Sequence, residues 1–533
     1  MSTPSVTVVG SGASGVHFAL TLLRKGMRVR MLDVGRRGSS PVLPGASLNG
    51  LKRELPDPVS WFLGEKFEAA LLPGETEEYY GIPPSKNFVF DQPDGFRQES
   101  TGFGPLFSFA RGGLAEAWTA GCYPFTEGET SDFPFPHHEL LACYTEVARR
   151  IGVSGEVDDL SRFMPVHEHL QPGLRLDEHS DRLMAAYARS RARLNERGVY
   201  LGRSRVATLT QPLNGRGACD YRGRCLWGCP HGALYTPSIT LRECLEFPNF
   251  EYVPGVEVIR LKTGTSQRIT AIVGRVDGEA AEREFPVDAV ALAAGALLST
   301  KIFLATVLAS TGQRVRLRGL MDNRQALVPF VNLSMIGRPF RDESYQYHVL
   351  GIGVDGGPKD YVHAQITTLK TALVHPLVQR IPLDLSAATM AFRAVHSALG
   401  LANVNFRDTR RDENFVELTE GDDPVLRIHY QPDAGEPERI ARALRVVRQT
   451  LRALGCVIPP GMVHIRPMGA SVHYAGTLPM TITAAPFTTT EYAQSREYGN
   501  LFLVDGATFP FLPAKNITFT LMANAVRIAN AIS

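Results

Sequence analysis

The sequence predicts an α/β fold with more than one domain, and three observations support this prediction. The chain has 533 residues, more than one hydrophobic core ordinarily holds, so two interleaved domains are expected. Residues 5–35 follow the order strand, glycine-rich turn, helix, strand. Residues 287–294 form a continuous apolar run, which is typical of a parallel strand buried on both faces.

The composition is that of an ordinary globular protein, with 44% hydrophobic and 21% charged residues. A formal net charge of +2 gives no electrostatic reason to expect nucleic acid or an acidic membrane as a partner. We find neither a signal peptide nor an uncharged apolar run of about 18 residues. Seven cysteines, few and odd in number, fit a reducing compartment. The expectation is a soluble, cytoplasmic protein without a membrane partner.

The remaining elements follow from hydrophobic period and from Pro and Gly content. Residues 40–100 are rich in Pro, Gly and charge, which predicts loops with little regular structure. The arginine-rich helix predicted at 437–454 admits an anionic partner, although a solvated helix face is the simpler interpretation. The other predicted elements are helices at 138–152, 178–197 and 517–532, a helix from Gly295, and strands at 250–262 and 266–276.

The first turn carries the motif G-x-G-x-x-G between a β-branched strand and a helix. Gly10 permits a tight turn, Gly12 lets the backbone approach a pyrophosphate, and Gly15 lets the helix pack closely on the strand. Ala13 and Ser14 open the helix, whose N-terminus offers free N–H groups to phosphates. A glycine-rich turn without a nucleotide is the alternative, but the full context predicts a dinucleotide site.

An acidic residue, Asp33, closes the second strand and is placed to accept hydrogen bonds from a ribose 2′-hydroxyl. An acid there disfavours a 2′-phosphate, so NADP is not expected. Near the other end of the chain, residues 500–504 predict a strand that ends in Asp505-Gly506. Many FAD enzymes return to the cofactor with such a segment, which favours FAD over NAD; a simple turn is the alternative.

Four blocks of the sequence together resemble the glucose–methanol–choline (GMC) family of FAD-dependent oxidoreductases. The resemblance implies a Rossmann-like FAD-binding domain assembled from separated segments and a second, mixed-sheet substrate domain built from the insertions. The blocks are VTVVGSGASG…MLDVG, ARGGLAEAWTAG at 110–121, VDAVALAAGALLSTKIFLA at 287–305, and SVHYAGTLPM followed by NLFLVDGATFPFLPAKNITFTLMANAVRIANAI. The implied FAD domain comprises 1–45, 95–130, 205–310 and 456–533, and the substrate domain comprises 46–94, 131–204 and 311–455.

The resemblance also implies site residues. His473 stands in the H-x-x-G-T motif as the catalytic acid/base, and Asn516 is its partner in the loop before the last helix. Trp118 replaces the residue usual in the second glycine-rich loop, and a histidine that could tether the flavin is absent there, so FAD is expected to bind non-covalently. The implied cofactor contacts are Gly10, Gly12, Ala13, Ser14, Gly15, Asp33, Arg111, Gly112, Gly113, Trp118, Val258, Gly295, Asp505, Gly506 and Thr518.

The chemistry explains why this pair suits alcohol oxidation. Hydride transfer from an alcohol carbon to flavin leaves a proton on oxygen, and histidine titrates near the working pH and can accept it. Asparagine cannot titrate, so Asn516 would only position the substrate oxygen. A helix N-cap is the alternative role for Asn516, and a structural loop histidine is the alternative for His473. His464 is expected to be structural.

A cysteine-rich loop allows two interpretations. Cys219, Cys225, Cys229 and His231 could bind zinc, and the run resembles a ferredoxin motif in which Arg222 occupies the second ligand position. A compact glycine-rich loop near the flavin is the simpler interpretation, and we predict no metal.

Three functions remain open at this stage. The first is an FAD-dependent alcohol oxidase or dehydrogenase that acts on a small-molecule alcohol and passes electrons to oxygen or a carrier. A sugar, an aminocyclitol or another secondary-metabolite alcohol is the substrate suggested by analogy. The second is a non-redox flavoprotein lyase with the same fold, and the third is a nucleotide-binding protein without catalysis.

Overall fold

A computed structural model of the chain describes residues 5–38, 45–70, 78, 80–165, 168–264, 266–371, 374–421 and 423–532. The helices are α1 (Ala13–Arg24), α2 (Leu48–Glu54), α3 (Pro58–Leu63), α4 (His137–Ile151), α5 (Glu178–Asn195), α6 (Pro237–Cys244), α7 (Ala296–Thr311), α8 (His375–Gln379), α9 (Leu385–Val395), α10 (Glu436–Ala453) and α11 (Thr518–Ala531).

The strands divide into several sheets, and the two largest are described below. They are β1 (Ser5–Val9), β2 (Arg28–Leu32), β3 (Gln98–Thr101), β4 (Val153–Ser154), β5 (Leu170–Gln171), β6 (Val199–Arg203), β7 (Phe250–Val253), β8 (Val256–Thr263), β9 (Ile269–Val276), β10 (Arg283–Pro286), β11 (Ala289–Leu292), β12 (Arg316–Arg318), β13 (Gln325–Asn332), β14 (Leu350–Val354), β15 (Val362–Thr368), β16 (Leu399–Asn405), β17 (Asp408–Thr409), β18 (Phe415–Leu418), β19 (Leu426–His429), β20 (Cys456–Val457), β21 (His464–Ile465), β22 (Leu501–Leu503) and β23 (Phe511–Leu512).

Among the described residues, five strands form a parallel sheet in the order β22-β11-β1-β2-β7. The apolar run predicted as a buried parallel strand is β11, and β1 and β22 pair with it on its two sides. Because parallel strands share one direction, their carboxyl ends meet at one edge, where a ligand site is expected in a doubly wound fold. The α/β prediction is confirmed, as is the strand, turn and helix order of 5–35.

A second sheet is antiparallel and has two unlike faces. Its strands follow the order β20-β13-β16-β15-β14-β6, with β21 also paired to β13. On one face, side chains such as Ile366 and Val404 share a hydrophobic cluster with Ile440 and Leu444 of α10. The opposite face carries polar side chains, including the cross-strand pair formed by Gln365 and Asn403.

The prediction that residues 40–100 contain little regular structure is wrong where the structure describes them. Helices α2 and α3 and strand β3 lie there. The Ser47 hydroxyl accepts from the Gly50 N–H, and the Asp57 carboxylate accepts from the Ser60 N–H, so both short helices begin at N-caps. Residues 40–44, 71–77 and 79 of this prediction lie outside the described residues.

The proposed division into two domains stays a prediction. The two sheets show which parts of the chain supply their strands. Strands of the parallel sheet come from 5–9, 28–32, 250–253, 289–292 and 501–503. Strands β20 and β21 pair with β13 in the antiparallel sheet. No helix within the described ranges is both long enough and apolar enough to span a bilayer.

Candidate active site

The glycine-rich turn after β1 has two kinds of glycine. Gly10 has a φ of +99°, and a Cβ there would lie 2.7 Å from the carbonyl oxygen of Ala293. A Cβ on Gly15 would overlap the carbonyl oxygen of Gly10. By contrast, the nearest atom to a Cβ on Gly12 is 4.0 Å away. Packing within the protein therefore requires Gly10 and Gly15, whereas Gly12 borders open space.

That open space is a pocket at the carboxyl ends of the parallel strands. The pocket is also lined by residues that were not predicted as site residues, among them Lys301, Phe96 and Ile517. The predicted residues that the structure brings together in its wall are Gly10, Gly12, Ala13, Ser14, Asp33, Gly113, Val258, Gly295, His473, Asp505, Gly506 and Thr518.

The second glycine-rich loop, at Gly112 and Gly113, is hydrogen-bonded to Ser11 of the first. The Gly112 N–H donates to Ser11 Oγ over 2.9 Å, and Gly113 lies in the pocket wall. The Arg111 guanidinium sits 5.5 Å from the centroid of the Tyr252 ring, and its buried Nε has no hydrogen-bond partner among the described residues. The structure does not bring five of the predicted site residues into the wall: Gly15, Arg111, Gly112, Trp118 and Asn516. The indole N–H of Trp118 instead donates to the Tyr235 carbonyl over 2.8 Å.

Asp33 lies at the end of β2 and is buried. Its carboxylate accepts hydrogen bonds from the Ser11 hydroxyl and, over 2.9 Å, from the Tyr252 hydroxyl. Burial raises the pKa of Asp33 to about 6, and these two hydroxyls oppose that rise. Tyr252 was missed in the sequence because it comes from β7, which pairs with β2 only in the folded sheet.

Asp505 joins the ends of β22 and β11. Its carboxylate accepts from the Gly295 N–H over 3.0 Å, from the Ser299 hydroxyl, and from the Ala507 N–H over 3.0 Å. Burial raises the pKa of Asp505 to about 6. The Ser299 hydroxyl, which belongs to α7, holds this aspartate in place.

The loop that carries His473 is wrapped around a buried carboxylate. Asp322 accepts from the Gly469 N–H over 2.7 Å, from the Ser471 hydroxyl, and from the His473 N–H over 3.3 Å. Val472 has a φ of +57°, a strained conformation for a β-branched residue. The three hydrogen bonds to Asp322 hold the loop in that conformation, which aims the next side chain at the pocket.

His473 is buried, with 6% of its surface exposed. Its Nδ1 lies 3.1 Å from Asn323 Oδ1. Burial, with a smaller contribution from the Arg466 cation, lowers the pKa of His473 to about 4. The imidazole is therefore neutral at neutral pH.

Asn516 lies in the loop before α11, where Ile517 rather than Asn516 is the N-cap residue. Its Oδ1 accepts from the Gln365 amide of the antiparallel sheet. The preceding residue, Lys515, is fully buried, and its ammonium donates to Glu129 over 2.6 Å and to two backbone carbonyls. The loop is thus fixed at Lys515 and at Asn516 itself.

Two other groups singled out in the sequence lie apart from this pocket. His464 is exposed on β21 and its Nε2 is 3.0 Å from Glu78. None of residues 219–231, all of which the structure describes, lines the pocket. His231 instead contacts Asp220 at 2.8 Å. Within the described part of the chain, no group of three or more His, Cys, Asp or Glu residues could hold a metal ion.

Comparison with known proteins agrees with this architecture. Residues 410–525 match the family model for GMC oxidoreductases. The chain is 24% identical to 6′′′-hydroxyparomomycin C oxidase of Streptomyces lividus over 99% of this chain and 91% of that protein. It is 23% identical to 2-methyl-1,2-propanediol dehydrogenase of Mycolicibacterium austroafricanum, with coverages of 99% and 95%.

Among solved structures, pyridoxine 4-oxidase from Mesorbium loti shares the fold. The two chains superpose with a TM-score of 0.61 at 16% identity, covering 99% of this chain and 98% of the other. Family model, relatives of similar length and shared fold agree with one another and with the glycine-rich turn, Asp33 and Asp505. Residues 410–525 thus carry a GMC oxidoreductase domain, and over its whole length the chain is similar to curated oxidases and dehydrogenases and shares the fold of a solved oxidase.

Proposed function

We propose that the chain binds FAD non-covalently and oxidises the hydroxyl-bearing carbon of a small molecule. The observation that carries this proposal is the convergence of His473 with the glycine-rich turn, Asp33 and Asp505 around one pocket. A histidine with only a structural role would not be expected to line the same pocket as the glycine-rich turn. The names of the two relatives, an oxidase and a dehydrogenase of hydroxylated compounds, support the same reaction class.

The residues of the pocket fit FAD. The N–H groups that open α1, next to the unfilled space at Gly12, would hold the pyrophosphate, and Asp33 would hold the adenosine ribose. Arg111 lies outside the wall, on the loop between the pocket-lining Ala110 and Gly113, and its unpartnered Nε is a further candidate donor. Trp118 cannot form a covalent link, which supports non-covalent binding. When bound, the flavin supplies the two-electron redox chemistry.

His473 and Asn516 would divide the work on the substrate hydroxyl. His473 is neutral at neutral pH because burial lowers its pKa to about 4, so it is ready to accept the hydroxyl proton. The oxygen of Asn516 is engaged by Gln365, which leaves its amide N–H groups to donate to the substrate oxygen. The amide then stabilises negative charge on that oxygen without competing for the proton.

The substrate follows from the relatives only as a class. By analogy with these relatives, the substrate is a small alcohol such as a sugar, an aminocyclitol or another secondary-metabolite alcohol. The electron acceptor is oxygen or a carrier, since an oxidase and a dehydrogenase are about equally similar to this chain.

Anaerobic mixing of the flavin-loaded protein with a panel of alcohols tests the proposed reaction. At least one sugar, polyol or aminocyclitol is expected to bleach the flavin absorbance, because electrons have no other acceptor under these conditions. Bound FAD that no alcohol reduces, while dithionite reduces it, would contradict alcohol oxidation and favour the lyase alternative. Admitting oxygen afterwards distinguishes an oxidase from a dehydrogenase by the rate of reoxidation.

Two glycine substitutions separate cofactor binding from folding. Gly12→Ala is expected to leave the thermal unfolding of the apoprotein unchanged and to weaken FAD binding, because its Cβ meets only open pocket space. Gly15→Ala is expected to destabilise the apoprotein by about 1–3 kcal/mol, because its Cβ overlaps a backbone oxygen. Calorimetry of the apoproteins and fluorescence titration with FAD measure both effects. Equal loss of apoprotein stability in the two variants would refute this assignment.

A further inference from the structure

We infer that Asn323 is a positioning residue that fixes the tautomer of His473, so that Nε2 carries the lone pair that accepts the proton. The assignment of a proton to Nδ1 depends only on the hydrogen bonds described below. Its consequence for catalysis rests on the proposed function, in which His473 is the base.

The orientation of the Asn323 amide follows from its neighbours. Nδ2 donates to the Phe406 carbonyl over 2.9 Å and to the Pro513 carbonyl over 2.8 Å. A carbonyl oxygen can only accept, so the NH₂ group must face this pair and both of its hydrogens are used. Asn323 is buried, with 1% of its surface exposed, so a rotated amide would place its oxygen against two other oxygens without water to separate them.

This orientation leaves Oδ1 facing the imidazole. Oδ1 lies 3.1 Å from His473 Nδ1, and an amide oxygen only accepts. Nδ1 must therefore carry the hydrogen. A neutral imidazole has one N–H, so Nε2 is left with a free lone pair. The opposite tautomer would set a lone pair of Nδ1 against a lone pair of Oδ1 in a buried site.

The charged groups around His473 do not determine which ring nitrogen carries the hydrogen. Asp322 accepts from the backbone N–H of His473 rather than from its ring, and burial raises the pKa of Asp322 to about 7, with Asp408 contributing. Burial is the main cause of the lowered pKa of His473, and the smaller contribution comes from Arg466, whose guanidinium is paired with Glu78. Neither the aspartate nor the arginine forms a hydrogen bond with the ring nitrogens.

Asn323 also connects the two halves of the catalytic pair. Its second acceptor, Pro513, lies three residues before Asn516 on the same loop. One amide thus holds the His473 ring and the backbone that leads to Asn516. A change at Asn323 is expected to lower kcat far more than it raises the KM for the alcohol, because it alters proton acceptance rather than substrate contact.

Nitrogen NMR of the ¹⁵N-histidine-labelled holoprotein tests the tautomer directly, with the His473 signals identified by their loss in His473→Ala. The expected spectrum shows a protonated Nδ1 and an unprotonated Nε2 at neutral pH. A protonated Nε2 in the wild type would overturn the inference. This readout is independent of turnover, so it remains informative even if no alcohol reduces the flavin.

Asn323→Leu removes the acceptor and keeps the size of the side chain. The expected result is mixed tautomers of His473 and a kcat for flavin reduction at least about tenfold lower. Asn323→Asp keeps an acceptor beside Nδ1, and its second oxygen can face the Phe406 and Pro513 carbonyls only as a protonated O–H donor, so the wild-type tautomer is expected to be retained. An Asn323→Leu variant that keeps the wild-type tautomer and pH profile contradicts the assignment.

Asn500 provides a matched control. Its amide Nδ2 also donates to two backbone carbonyls, of Ile269 over 2.8 Å and of Asp288 over 2.7 Å, and its Oδ1 accepts from the Ile269 N–H over 2.8 Å. Asn500→Leu is expected to destabilise the fold while leaving the His473 tautomer and the pH profile unchanged. If Asn500→Leu alters both to the same extent as Asn323→Leu, the effect is general destabilisation and the inference fails.

Discussion

Replacing His473 with alanine is expected to lower the rate of anaerobic flavin reduction by an alcohol about 10²–10⁴-fold, the usual contribution of general acid–base catalysis. In the proposed function the variant removes the proton acceptor and leaves the residues proposed to hold the pyrophosphate and ribose unchanged, so the FAD content is expected to stay the same. Stopped-flow absorbance under anaerobic conditions measures the rate, and the flavin-to-protein absorbance ratio measures loading.

His464→Ala is the matched control for this variant. His464 lies nine residues earlier, is exposed, and contacts Glu78 rather than the pocket. Its replacement is expected to leave the reduction rate close to that of the wild type. A fully loaded His473→Ala protein that is reduced about as fast as the wild type would rule out His473 as the base.

Replacing Lys515 with methionine is expected to destabilise the protein by about 3–5 kcal/mol, the cost of leaving one member of a buried ion pair without its partner. The side chains of Lys515 and Glu129 are 0% and 2% exposed and 2.6 Å apart. The variant leaves the Glu129 carboxylate buried without a counter-ion, and the carbonyls of Pro124 and Phe163 lose their donor. Urea unfolding monitored by fluorescence gives the free energy of unfolding.

Two comparisons identify the buried charge as the cause. In Lys515→Met/Glu129→Gln the carboxylate is neutralised, so much of the lost stability is expected to return. Lys359 forms a pair of the same length, 2.6 Å, with Asp132, but both side chains are partly exposed at 35% and 46%. Lys359→Met is expected to cost about 0–1 kcal/mol. If it costs as much as Lys515→Met, burial is not the source of the effect.

Local signals explain why the dinucleotide unit could be predicted from sequence. The Gly10 turn, helix α1 and Asp33 lie within about one βαβ unit, and each has its own residue requirement. The segment 40–100 was misjudged because its Pro and Gly content outweighed the N-caps Ser47 and Asp57, which start short helices. A serine or aspartate three residues before a helical N–H was the signal available in the sequence.

The surroundings of His473 could not be predicted in the same way. Asp322 and Asn323 lie about 150 residues earlier in the chain, and Gln365 reaches Asn516 from another sheet. Hydrophobic period reports which face of an element is buried, but it does not report which distant polar group will meet it. The polar run Asp322-Asn323-Arg324-Gln325 between Met321 and Ala326 was the local indication of a role.

The parallel sheet has a consequence for how the protein is made. Strand β11 lies between the central strand β1, near the start of the chain, and the edge strand β22 at Leu501–Leu503. At about 5–20 residues per second, a ribosome needs on the order of 25–100 s to proceed from β1 to β22. Until β22 emerges the sheet stays incomplete, and the apolar side chains of β1 and, once it has been made, of β11 stay available to other chains. We therefore expect the nascent protein to depend on chaperones until β22 and α11 emerge.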